Sequence, residues 1–314
     1  MLSGLLFRYA LLVAAAAMSG VTAFNVSSAS PAPDPSDLSL PKGLLNSVLG
    51  PEEIEAEFLP RVGYIENLLL ADKSFMRSMS SPPTPSKENV SLAFAGDVLI
   101  HSNVRGRALV GNNTYDFTPM FDPVAPVISA ADLAICHLEV PLSPDNTELS
   151  TYPRFNAPRE TATALAEAGF DGCSTASNHS MDKGAAGLVA TLDILDEAGL
   201  GHAGTARTPE EAAAATLYET AAPTVAHIAA TYWLNGLGTP EGKEWMAQRI
   251  DVEAILEMAW GARREGADLV VVSIHCCTEY RSEPTSDQVE IFEELIENPW
   301  VDLVVGHHSH VVGP

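Results

Sequence analysis

From residue 90 onward the chain repeats one pattern. A short apolar run ends in a polar group, and a helical stretch of roughly 10–16 residues follows. Apolar runs occupy 90–95, 133–136, 172–175, 224–231, 269–274 and 301–305. Stretches with helical character occupy 121–131, 159–168, 183–198, 251–265 and 288–297. Leu188, Leu192 and Leu195 fall on one face of the third stretch, and Gly169 and Gly199 close the second and third. Alternation of this kind predicts an α/β fold with at least partly parallel pairing. In such sheets, ligands bind outside the C-terminal ends of the strands.

Those ends carry chemistry. Five of them present Asp97, Glu139, Asn178 with His179, His275, and His308 with His310. The last is the densest, with three histidines in four positions within Gly306-His307-His308-Ser309-His310. Carboxylates, an amide and imidazoles form the mixed oxygen and nitrogen set that holds divalent ions of the Mn, Fe or Zn class. A pair of such ions about 4 Å apart can bind a water and clamp a phosphoryl oxygen. Singly, each residue has a plainer explanation: a Gly-Asp turn, an Asn-His cap, or a histidine-rich surface loop. Recurrence at five strand ends favours a site.

The chain has 41 acidic residues against 17 basic ones, a formal net charge of −24. This balance excludes a general nucleic-acid-binding surface, whereas a cationic metal site could still draw an anionic substrate. Cys136, Cys173, Cys276 and Cys277 show neither metal nor disulfide-framework spacing, so buried free thiols are expected. Residues 1–23 read as an export signal or N-terminal anchor, with Arg8, an apolar run at 11–17, and small residues at Val21 and Ala23 for cleavage. The body is therefore expected to be secreted or anchored at the outer face of the cell membrane. Residues 24–89 form a linker rich in Pro and Ser. Within it, Ile54, Phe58, Ile65 and Leu68 suit one side of a helix that Pro60 would interrupt. The main folded domain is expected at 90–314.

Phe94-Ala95-Gly96-Asp97, His137-Leu138-Glu139, Ser177-Asn178-His179 with Asp182, His275 with Glu279-Tyr280, and Gly306-His307-His308-Ser309-His310-Val311 form an ordered series. That series resembles the motifs of the CapA proteins of capsule and poly-γ-glutamate synthesis, whose domain is similar to calcineurin-like metallophosphoesterases. The resemblance covers roughly residues 92–314. It implies an α/β four-layer sandwich, α/β/β/α, of metallophosphoesterase-like type. It implies two divalent metal ions, held by Asp97, Glu139 in the bridging position, Asn178, His275, His308 and His310. His179 would act as a general acid supported by Asp182, and Glu279 and Tyr280 would line the cleft. Relatives continue with further strands after the His-x-His pair, so the domain is expected to be incomplete at its C-terminus and less stable for it.

Three positions depart from the pattern. Phosphoesterases place a histidine two residues after the first aspartate, where this chain has Leu99; His101 is near but out of step. The first metal would therefore lack one ligand. His137 stands where relatives commonly have Asn, and Cys276-Cys277 follows the fourth-strand histidine. Three functions remain open. The first is an exported CapA-type protein assisting capsule or poly-γ-glutamate synthesis or export beside a polymer-synthesis membrane complex. The others are an exported metal-dependent hydrolase of phosphoesters, and a binding or assembly module whose metal site has decayed. The substrate would be an anionic polymer or a phosphoester.

Overall fold

The computed structural model describes residues 21–27, 89–221 and 223–313. The chain divides into two compact units, Met1–Ser28 with Lys87–Pro314, and Ala29–Ser86. The second unit, which holds most of the expected linker and its helical segment, lies outside the described residues, as does the apolar run of the expected export signal. The small residues read as a cleavage site, Val21-Thr22-Ala23, begin strand β1, Val21–Ser27.

Two sheets carry the first unit. In one, β1 pairs antiparallel with β2 (Asn89–Val98), and β2, β3 (Leu133–Leu138), β4 (Gly172–Ser174) and β5 (Gly201–Ala203) follow in parallel. In the other, β6 (Thr216–Glu219) pairs antiparallel with β7 (Thr224–Thr231), and β7, β8 (Leu269–His275) and β9 (Leu303–His307) are parallel. The α/β class with parallel sheets is thus the one the alternation predicts.

Side-chain alternation sorts each strand between two cores. Ala93, Ala134, Cys136, Leu138 and Cys173 pack on helices α1 (Glu160–Ala168) and α2 (Gly184–Glu197) through Ala162, Leu165, Leu188, Leu192 and Leu195. On the opposite face, Leu92, Phe94, Leu133 and Ile135 meet Val225 and Val271 of the second sheet. Helix α3 (Val252–Arg264) packs on β7 and β8, and α4 (Ser286–Ile296) on β9 and α3. Strands buried on both faces explain the unbroken apolar texture of Leu269-Val270-Val271-Val272. Both later helices start from side-chain caps: Asp251 accepts from the Ala254 N–H, and Thr285 from that of Gln288.

Gly204 sits where the edges of the two sheets meet. Its φ is +101°, and a Cβ there would lie 2.6 Å from that of Ala176 and 2.9 Å from that of Ala229. Only glycine allows this approach.

The helix expected at 121–131 is not continuous. Two four-residue helices, Thr118–Phe121 and Ala125–Ile128, replace it. Pro123 and Pro126 lack the N–H that would carry one helix through this stretch. The short strands β5 and β6 and the helix Ser102–Ala108 have too few residues to show a period and were not anticipated.

His227 on β7 is wholly buried between the sheets, with Nε2 2.9 Å from Ser273 Oγ. Burial, reinforced by His307, pushes this imidazole down to about 3. An unfolded histidine takes its proton near pH 6.5. Between pH 6.5 and about 3, therefore, the unfolded chain binds a proton at His227 that the folded chain refuses. Stability should be unaffected by this group above pH 6.5 and fall below it, by on the order of 2 kcal/mol at pH 5. Urea titrations of the wild type and His227→Gln at pH 7 and pH 5 test this. The glutamine variant should lose that much less on acidification; an equal loss in both proteins would contradict the assignment.

Candidate metal centre

Parallel pairing brings the ends of β2, β3, β4, β8 and β9 together. In β2 a register shift does additional work. Phe94 pairs with Ile135, but Asp97, not Gly96, pairs with His137. One extra residue is accommodated in β2, a bulge that reverses the alternation. Ala93 faces the helices; Asp97, of the same parity, faces the second sheet with His137 and Glu139. The Asp97 carboxylate accepts the His308 N–H at 3.2 and 3.3 Å and lies 2.9 Å from His310 Nδ1.

The sequence-predicted ligands converge. Asp97, Glu139 and His310 present donor atoms within 4.8 Å of one another, as do Glu139, His275 and His308. Asn178 joins them, its Oδ1 3.1 Å from His275 Nε2. His308 and His310 adopt positive φ, 87° and 52°, at a cost of order 1 kcal/mol or more each. That turn directs both rings to the same place. Glu279 forms a further group with His308 and His310. Tyr280 donates its N–H to Ser309 O at 2.7 Å, and its ring lies 5.8 Å from that of His310.

The carboxylates in this pocket share one imidazole: His310 lies 2.9 Å from Asp97 and 3.9 Å from Glu139. Glu139 is 1% exposed and neither carboxylate oxygen has a hydrogen-bond partner. Burial, and then the neighbouring Asp97 charge, push its carboxyl up to about 8. Asp97 behaves oppositely. Burial would raise it, but the His310 hydrogen bond and the nearby His137, His307 and His275 outweigh burial and hold it well below the carboxylate range. Burial holds His275 and His308 below the usual imidazole value. The result is two carboxylates and several neutral imidazoles facing one space, with His308 Nδ1 also unpartnered. This donor set fits a divalent cation, which would compensate the Glu139 carboxylate.

Beside the ligands stands a second pair. His179 Nδ1 lies 2.7 Å from Asp182 Oδ2, which also accepts the Phe155 N–H at 2.7 Å. The edge of Phe155 meets the His179 ring at 4.7 Å, and the His179 N–H donates to Ser177 Oγ. Both side chains are buried, so the imidazole is held from three sides.

Three more residues line the site without a ligand role assigned from the sequence. His137 and His307 are buried at the floor of the site, their rings stacked 4.2 Å apart, and His137 also stacks on His275 at 4.8 Å. Tyr232 places its hydroxyl 3.4 Å from His308 Nε2. The signal that finds the histidines is parity. Leu133, Ile135 and His137, like Leu303, Val305 and His307, alternate onto the face between the sheets.

The cysteines correct the expectation of free thiols. Cys136 and Cys173 are disulfide-bonded across paired positions of β3 and β4. Their separation of 37 residues hid this, because only the parallel register brings them together. Cys276 and Cys277 are bonded to each other. Extended strands point adjacent side chains to opposite faces, but β8 ends at His275 and releases the next two residues from that geometry. No thiolate is therefore present beside the site to take up a soft metal.

The family described as bacterial capsule synthesis protein PGA_cap matches residues 91–314. Capsule biosynthesis protein CapA of Bacillus anthracis is 26% identical over 254 residues, covering 78% of this chain and 61% of the relative. PGA biosynthesis protein CapA of Bacillus subtilis (strain 168) is 24% identical over 241 residues, covering 74% and 60%. The chain thus spans about three-fifths of the length of these relatives. A crystal structure of a hypothetical protein from Thermus thermophilus shares 17% identity at a TM-score of 0.42, over 70% of this chain and 68% of that one. Since the family match runs through every strand end of the site, the chain belongs to the bacterial capsule synthesis protein PGA_cap family.

Proposed function

We propose that this chain is an exported CapA-type protein that assists capsule or poly-γ-glutamate synthesis through a hydrolytic centre dependent on divalent metal. The observation that carries this reading is the buried, unpartnered Glu139 carboxylate among three imidazoles at the meeting point of five strand ends. Asp97, Glu139 and His310 would hold one ion; Glu139, Asn178, His275 and His308 would hold a second. Divalent ions held there would supply an activated water and neutralise charge developing on a phosphoryl or carbonyl oxygen.

The chain's own residues supply the rest. Asp182 fixes the His179 ring through Nδ1, so proton exchange with a departing oxygen takes place at Nε2. Phe155 fills the space against that ring and limits water around it. Tyr232 offers a hydroxyl at the rim beside His308. An ordered acid of this kind has no use in a decayed binding module, which favours chemistry over binding alone. The net charge of −24 disfavours tight holding of a polyanionic polymer away from the metal centre, which weighs against a polymer substrate. Phosphoester hydrolysis and cleavage of a glutamyl bond both suit this arrangement. No helix among the described residues is long and apolar enough to cross a membrane; attachment to the outer face, and to a membrane complex of polymer synthesis, would run through the N-terminal segment.

Elemental analysis and kinetics on the purified full chain test this reading together. Wild type should hold about two ions per chain, and Asp97→Ala and His308→Ala should each lower that number. A wild type that retains no ion contradicts the proposal.

His179→Ala should keep the metal content and lower kcat about 10²–10⁴-fold on an aryl phosphodiester or a γ-glutamyl anilide. Asp182→Asn should lower kcat in the same direction by less, again with metal retained. Loss of metal in either variant would show that the pair serves the ligand shell and not proton transfer.

A further inference from the structure

Phosphoesterases that resemble this chain draw one ligand from the position of Leu99, and no metal-binding group is available there. Leu99 is partly buried and packs against the core between the first sheet and its helices. His101, two residues on, is exposed and turns its ring edge-on to Phe155 at 5.2 Å. Neither belongs to any group of converging donors among the described residues. The Asp97 side of the centre would be one ligand short unless another element supplies it.

We propose that His137 is a metal ligand and supplies the nitrogen that position 99 does not. This rests on the metal-centre reading above, adds His137 to it, and moves His275 from the second ion to the Asp97 side. His137 is 0% exposed and forms a converging group with Asp97 and His275, all donor atoms within 4.8 Å. Its Nε2 lies 2.9 Å from His275 Nδ1 and 3.9 Å from Asp97 Oδ1.

The contacts around the two rings run in one chain. His137 Nδ1 is 2.6 Å from Ser174 Oγ, and the same hydroxyl lies 3.4 Å from the Cys136 carbonyl. The contact with the imidazole is much the shorter, and the hydroxyl can donate to His137 Nδ1 or accept from it. Across from His137, His275 Nε2 faces the carbonyl oxygen of Asn178 at 3.1 Å. That oxygen accepts, so His275 carries its proton at Nε2 and presents a lone pair at Nδ1. In the metal-free chain a proton on His137 Nε2 bridges the 2.9 Å to His275 Nδ1, and a cation bound to both nitrogens would take its place.

The spacing suits a metal ion. Two imidazole nitrogens each about 2.1 Å from one ion stand about 3.0 Å apart at a right angle and about 3.4 Å apart at the tetrahedral angle of zinc, so binding zinc would part these atoms by roughly half an ångström. Ser174 has the role that a carboxylate or carbonyl commonly has behind a ligating histidine, fixing tautomer and ring plane. His307, stacked nearly parallel on His137 with 14° between the planes, holds the ring from below.

Zinc titration of the full metal-free chain, in competition with a chromophoric chelator, tests the assignment. Wild type should bind two ions. His137→Asn should lose one or bind it at least tenfold more weakly, with the other unchanged. Ser174→Ala should weaken the same ion 10–100-fold. In the cobalt-loaded chain, His137→Asn should also change the visible absorption of one ion. A folded His137→Asn protein that binds two zinc ions with wild-type affinity overturns the proposal and leaves the metal centre standing. A wild type that binds no zinc overturns both. Should the asparagine variant fail to fold, anomalous diffraction from zinc-loaded wild type decides: an ion within about 2.3 Å of His137 Nε2 supports ligation, and one beyond about 3 Å overturns it.

Discussion

A carboxylate removed from water needs a positive partner, and among the described residues Glu139 has only His310, its Nε2 3.9 Å away and beyond hydrogen-bond reach. It is buried, both oxygens lack hydrogen bonds, and the Asp97 charge nearby makes its ionisation harder still. The surrounding groups do not relieve this. His275 and His308 are held neutral by burial, and His310, the one imidazole pushed toward the charged form, is engaged by Asp97. A cation bound here turns an unfavourable cluster into a coordination shell. The destabilising arrangement and the functional one are the same arrangement, with and without the ion.

The fold is what makes the cluster unavoidable. Parallel strands in both sheets deliver their ends to one region, and a bulge in β2 turns Asp97 from the helix side to the side between the sheets. Behind the ligands lie Val90, Leu92, Phe94, Leu133, Ile135, Val225 and Val271, a dry layer that keeps the two sheets in register. In front of that layer the same alternation places His137, His227, Ser273, His275 and His307. The interface between the sheets therefore passes from apolar to imidazole-rich along its length, and the centre sits at the imidazole-rich end. His179 belongs to the loop after β4 and is secured by Asp182 and Phe155, so the acid and the ligands are positioned by separate parts of the chain.

Much of this was legible in the residues. Alternating apolar and helical stretches indicated the α/β class, and polar residues at five strand ends marked Asp97, Glu139, Asn178, His275, His308 and His310, which the fold does bring together. What stayed hidden depended on pairing. Nothing in the spacing of Cys136 and Cys173 told that they are neighbours; the parallel register of β3 and β4 does. The bulge was invisible because Phe94-Ala95-Gly96-Asp97 reads as a plain strand followed by a turn. His137 and His307 were named in the motif series but given no ligand role, because each stands inside a strand and not after it, and only its parity with the apolar residues before it aims it at the site. The broken helix at 121–131 was legible in Pro123 and Pro126, whose missing donors outweigh an apolar composition.

The measurement that tests the account most directly is the thermal stability of the full chain with and without metal, in wild type and Glu139→Gln. If the unpartnered carboxylate is the centre of the site, wild type in chelator should gain about 2–3 kcal/mol when manganese or zinc is added at a hundredfold excess over its dissociation constant. The glutamine variant, which has no carboxyl to keep protonated, should be more stable than wild type in chelator at neutral pH and gain little from either metal. A wild type indifferent to both ions, with a glutamine variant no more stable than it, would contradict the claim that this site is built around a cation.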